Sequence, residues 1–98
     1  MAEPIRVLLV DDQSLVRSGF HMLIDSEDDM AVVGEASNGA EALEKLRTIE
    51  VDVALMDIRM PVMDGVETTR RIAASSLPTR VMILTTFDLD EYVYAALK

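Results

Sequence analysis

Three short runs in this chain are almost wholly apolar: IRVLLV (Ile5 to Val10, interrupted only by Arg6), VALM (Val53 to Met56) and VMIL (Val81 to Leu84). A strand with one wet face alternates apolar and polar residues, whereas continuous Val, Ile and Leu indicate a strand covered on both faces. A weaker run, Ala31 to Val33, precedes Gly34. The intervening segments have helical spacing. Val16, Gly19, Phe20 and Leu23 form one stripe; Ala42, Leu43, Leu46 and Ile49 a second; Val66, Thr69, Ile72 and Ala73 a third; Leu89, Val93, Ala96 and Leu97 a fourth. Asn38-Gly39 and Asp64-Gly65 supply turn and cap chemistry ahead of the second and third helices.

A strand followed by a helix, repeated along the chain, implies a parallel sheet with helices on both faces. Right-handed crossovers then bring the carboxyl ends of all strands to one edge, where open α/β sheets bind ligands. In the flavodoxin-like order 2-1-3-4 the first and third strands are neighbours. Asp11-Asp12, which ends the first, and Asp57, which ends the third, therefore converge on one crevice, with Thr85-Thr86 at the end of the fourth.

Two carboxylates about 5 Å apart repel by roughly 3 kcal/mol at an effective dielectric near 20. Three cannot all stay ionised without help, so either one holds a proton or a divalent cation neutralises them. Oxygen ligands without His or Cys close by in sequence favour a hard ion, and an open, hydrated site suits Mg²⁺ better than Ca²⁺. An aspartate beside Mg²⁺ can also attack phosphorus to form an acyl phosphate, with Thr85 hydrogen-bonding the phosphoryl oxygens. In that arrangement Asp57 attacks while Asp11 and Asp12 hold the metal. Taken singly, each of these residues also reads as a strand-end turn or helix cap, and it is their joint placement that points to chemistry. His21, the one histidine, reads as a surface residue and not a phosphorelay donor. Met56, Met60 and Met63 read as packing.

Ninety-eight residues fit one domain, 1–98, with half of them hydrophobic and no cysteine, which suits a reducing cytoplasm. No run is long enough to span a bilayer, and the N-terminus has no secretory pattern. The net charge of −9, from 18 acidic and 9 basic residues, repels phosphate backbones, so no direct nucleic-acid binding is expected of this segment. Gly34 to Gly39 has the glycine spacing of a P-loop but lacks the Lys-Ser/Thr that would follow.

VLLVDDQSLVRSGF, VVGEASNGAEAL, MDIRMPVMDG and MILTTFD resemble the receiver domain of bacterial two-component response regulators. GEASNGAEAL and LTTFDLDEYVYAAL look like the NarL/FixJ type, whose members usually continue into a helix-turn-helix DNA-binding domain. The resemblance implies a phosphorylation switch that controls transcription: Asp57 as phospho-acceptor for a sensor histidine kinase, Asp12 and Asp57 as direct Mg²⁺ ligands, and Asp11 acting through water. It adds the backbone carbonyl of Arg59 as a ligand, Thr85 and Thr86 as phosphoryl-contact and switch residues, and Arg59 and Phe87 as tuners of phosphoryl lifetime. Val62 replaces a common glycine, a mild departure. The family's fifth strand, with its lysine, and fifth helix are not matched, since Lys98 follows the fourth helical stripe. The fourth strand is then expected to be an exposed edge, and a homodimer or exchanged assembly through it and the fourth helix is expected. The alternatives are a phosphorylation-independent interaction module and an aspartate-nucleophile phosphatase, which generally spaces its first acids as D-x-D.

Overall fold

The computed structural model describes residues 3–84. Along the chain run β1 (Ile5–Val10), α1 (Ser14–Asp25), β2 (Met30–Ala36), α2 (Gly39–Leu46), β3 (Val53–Asp57), α3 (Gly65–Ala74) and β4 (Arg80–Leu84). The strands form one parallel sheet in the order β2-β1-β3-β4, the flavodoxin-like arrangement expected from the sequence. The expected fourth helix, Thr85, Thr86, Phe87 and Lys98 lie outside the described residues, and so does half of the surface expected to carry an assembly.

Strand periodicity divides β1 between two cores. Val7 and Leu9 pack with Ile24 and Phe20 of α1, while Leu8 and Val10 pack with Ala42 and Leu46 of α2, Ile72 of α3, and Ala54 and Met56 of β3. Each fully buried side chain of this size contributes about 1.5–3 kcal/mol. At the amino-terminal end, β1 and β3 are clamped by charge. The Arg6 amide and Nε donate to Asp52 Oδ2 at 2.8 and 3.1 Å, the Asp52 amide returns a bond to the Arg6 carbonyl at 2.9 Å, and Arg6 also pairs with Glu50. The Arg6 guanidinium and amide hold the Asp52 carboxyl below its ordinary range.

Register slips once. Val7 pairs with Val32 but Leu8 pairs with Gly34, so Val33 is an extra residue in β2. Such a bulge reverses the faces beyond it. Val32 belongs to the α1 side, and after the slip Glu35 lies opposite Leu9, again on the α1 side.

Two helices are rotated relative to their expected stripes. The inward row of α1 is Val16, Phe20 and Ile24; Leu23 is exposed, and the space beside Gly19 is open. The cause is polar: Arg17 and His21 both bond to Glu35 of β2, which turns Gly19 and Leu23 outward. In α3 the buried residues are Gly65, Thr68 and Ile72, with Val66 and Ala73 exposed. Close approach sets this rotation, because a Cβ on Gly65 would lie 2.2 Å from the Asp57 carbonyl oxygen and one on Gly39 would lie 1.8 Å from Thr68 Oγ1. The α2 stripe is as expected as far as Leu46, with Ala42 and Leu46 buried and Leu43 packed against them; the helix ends there, and Ile49 packs on the core from the turn that follows. Asn38 and Asp64 cap α2 and α3 by accepting from the Glu41 and Glu67 amides at 2.9 and 2.8 Å.

Gly39→Ala is therefore expected to cost about 1–3 kcal/mol in urea unfolding, since the new methyl would also meet the Met63 carbonyl oxygen at 2.7 Å. Val66→Ala, on the exposed face of α3, is expected to change stability by less than about 0.5 kcal/mol.

Candidate acidic site

The last β1–β3 pair is Val10 with Met56. The next residue on each strand is an aspartate, and parallel neighbours lie about 4.8 Å apart. Asp11 and Asp57 thus stand side by side, 6% and 4% exposed, with the exposed Asp12 next to them. One carboxylate oxygen from each of Asp11, Asp12 and Asp57 lies within 4.8 Å of the others.

Local backbone accounts for part of this arrangement. Asp11 Oδ1 accepts from the Gln13 amide at 2.9 Å, a turn that leads into α1, whose N-cap Gln13 makes no side-chain cap of its own. The plain strand-end reading therefore explains one oxygen of Asp11. Asp57 Oδ1 accepts from the Ile58 amide at 2.8 Å, but Asp57 Oδ2 is buried and has no hydrogen-bond partner among the described residues. An orphaned, buried carboxylate oxygen beside two further acids is costly as it stands. Burial, and then the charges of Asp11 and Asp12, push the Asp57 carboxyl above its ordinary range against the pull of the Ile58 and Arg59 amides. Burial also raises Asp11, with Asp12 adding to it and the Gln13 amide and Arg17 opposing. An all-oxygen set with one unsatisfied atom fits a hard divalent cation.

The loop after β3 closes tightly. The Gly65 amide donates to the Ile58 carbonyl at 2.8 Å, and the Gly39 amide at the start of α2 donates to the Met63 carbonyl at 3.1 Å. Exposed Arg59 lies in this loop. Val62 has φ 68°, and the Met63 amide donates to the Pro61 carbonyl at 2.7 Å around it. This is a γ-turn of positive φ, a strained form for a β-branched residue. A glycine would hold this φ without that strain. Met56 is fully buried and Met60 packs on the core, as expected of packing residues.

His21 is not a free surface residue. Its Nδ1 lies 3.0 Å from Glu35 Oε2 and its Nε2 lies 3.0 Å from Asp25 Oδ2. Bonding to Glu35, aided by Asp25, raises its pKa. Arg17 and Glu35, which complete this network, were not singled out by sequence. The available signal was Arg17 and His21 at i and i+4 on one helix face. A separate hollow of about 420 Å³, lined by Arg6, Leu46, Arg47, Asp52, Leu77 and Thr79 among others, opens at the opposite, amino-terminal end of the strands.

A sequence model described as the response regulator receiver domain matches residues 7–98. The uncharacterized transcriptional regulatory protein YxjL of Bacillus subtilis is 42% identical over 96 residues, which is 98% of this chain and 44% of that protein. The signal receiver domain of the response regulator NarL from Mycobacterium tuberculosis superposes with a TM-score of 0.84 at 41% identity, covering 98% of this chain and 77% of that one. A chain in the complex of the CheA3 P1 domain with CheY6 from R. sphaeroides superposes at 0.77 with 36% identity, covering 98% and 74%. The chain spans less than half the length of its curated relative.

The raised carboxyls set the sign of the pH dependence. Below about pH 4 folded and unfolded states both hold these protons. As pH climbs through the raised folded values of Asp57 and Asp11, the unfolded chain ionises first and stability falls. Without divalent ions, Asp57→Asn is expected to stabilise the chain at pH 7 by about 1–3 kcal/mol and by much less at pH 4, as read by thermal unfolding. Val62→Gly is expected to add about 1 kcal/mol at either pH.

Proposed function

The chain belongs to the response regulator receiver domain family, and on that premise we propose that it accepts a phosphoryl group on Asp57 from the phosphohistidine of a sensor histidine kinase. Receiver domains act as signalling switches with an acidic pocket. The observation that carries the assignment to Asp57 is its buried, unpartnered Oδ2 beside Asp11 and Asp12. That oxygen attacks phosphorus; the phosphorus–nitrogen bond of the donor breaks, its electron pair returns to the imidazole ring, and an acyl phosphate forms on Asp57. The backbone amide of Ile58 holds Oδ1, leaving Oδ2 as the nucleophile.

Asp12, Asp57 and the Arg59 carbonyl would hold Mg²⁺, with Asp11 acting through water. When bound, the ion offsets the negative charge shared by the acids and the incoming phosphoryl oxygens. A bound cation would oppose the upward shift that burial and mutual charge impose on Asp11 and Asp57. Two findings support the partner and the output. A structural relative occurs in complex with the CheA3 P1 domain, and a relative twice as long is named as a transcriptional regulatory protein. We read the chain as the phosphorylated part of such a regulator.

Incubation with a small phosphodonor and Mg²⁺ is expected to give one phosphoryl adduct by intact mass spectrometry. The adduct should be labile to hydroxylamine, absent with EDTA and absent in Asp57→Asn. An adduct that persists in Asp57→Asn would refute the assignment, and steady release of phosphate from an added phosphomonoester would identify a phosphatase instead.

A further inference from the structure

Arginine is a surface residue in most folds, yet the Arg17 side chain is only 18% exposed. Its guanidinium joins two elements. One terminal nitrogen donates to the backbone carbonyl of Asp11, and Nε donates to Glu35 Oε1 at 3.0 Å. A planar fork holds both acceptors in one fixed geometry, whereas the ammonium of a lysine is a compact charge on a flexible stem that does not impose it. Glu35 is itself held: its other oxygen meets His21 Nδ1 at 3.0 Å, and its backbone carbonyl accepts from Lys45 of α2. Glu35 reaches Arg17 only because the extra residue in β2 turns it to the α1 side.

The carbonyl that Arg17 holds belongs to the peptide linking Asp11 to Asp12. On the other side the Asp11 amide donates to the Ala36 carbonyl at 3.0 Å. The strand fixes one side of Asp11 and Arg17 fixes the other. A fixed Asp11–Asp12 peptide plane sets the direction in which both carboxylates leave the backbone.

We propose that Arg17, clamped by Glu35 and His21, is a positioning residue that sets the orientation of the Asp11–Asp12 peptide and thereby the affinity of the acid pocket for Mg²⁺. This rests on the reading of the pocket as a Mg²⁺ site. Arg17 bonds a backbone carbonyl, not the metal, so its loss leaves every proposed ligand in place and misdirects two of them. Groups that orient ligands in this way typically govern about tenfold or more in metal affinity.

Calorimetric titration of the chain with MgCl₂, paired with urea unfolding, tests the proposal. Arg17→Met is expected to weaken Mg²⁺ binding about tenfold, and Arg17→Lys to recover little of it. Glu35→Gln is expected to weaken binding in the wild-type background and to add nothing in the Arg17→Met background. A loss of general stability would instead be additive. Phosphorylation by a small phosphodonor at saturating Mg²⁺ should return to within about twofold of wild type, the mark of an affinity effect. Wild-type affinity in folded Arg17→Met would overturn the inference. Should that variant fail to fold, wild-type affinity in Glu35→Gln would overturn it. A wild-type chain that binds no Mg²⁺ would overturn the reading of the pocket itself.

Discussion

The pairing of β1 with β3 is the constraint on which the rest of this molecule depends. It places Val10 beside Met56 in the core, and the next step along both strands leaves the core at Asp11 and Asp57. The apolar partners stabilise the pairing by burial, and the same pairing forces two acids together at its end. The core thus does electrostatic work: it holds like charges closer than they would settle in water. At the other end of the same two strands charge has the opposite role, because Arg6 meets Asp52 and Glu50. One strand pair carries a satisfied ionic cluster at its base and an unsatisfied one at its tip.

The acids sort by the company they keep. Asp52, Glu35 and Glu67 face Arg or His side chains and titrate below their ordinary range. Asp11 and Asp57 are buried against each other and titrate above it. The first group belongs to the fabric of the fold. The second is the place where the fold is held away from its own electrostatic minimum, as expected of a site made for a ligand of opposite charge.

Much of this was legible in the chain. Unbroken apolar runs marked the strands, and a parallel sheet in the order 2-1-3-4 brought together acids far apart in sequence. Asn38 and Asp64 announced their helices because a cap needs only local geometry. What stayed hidden depended on tertiary fit. The face of α1 was chosen by Arg17 and His21 reaching Glu35, and the face of α3 by glycine and threonine packing against backbone, so hydrophobic spacing alone put Leu23 and Val66 on the wrong side. The slip at Val33 has one local mark, Gly34 inside β2, because a glycine within a strand often signals a bulge. Val62 was visible as a departure from glycine, but its positive φ was not.

Asp11 and Asp57, like Arg6 and Asp52, are separated by 46 positions along the chain. No local fragment contains the acid pocket, and bringing its two halves together requires closure of a long loop whose entropy cost must be met by the apolar pairs between them. The pocket therefore exists only in a chain whose β1 and β3 have paired. A nascent chain that ends before β3 carries Asp11 and Asp12 as ordinary solvated carboxylates, and the crowded site comes into being only when the central strand finds its neighbour.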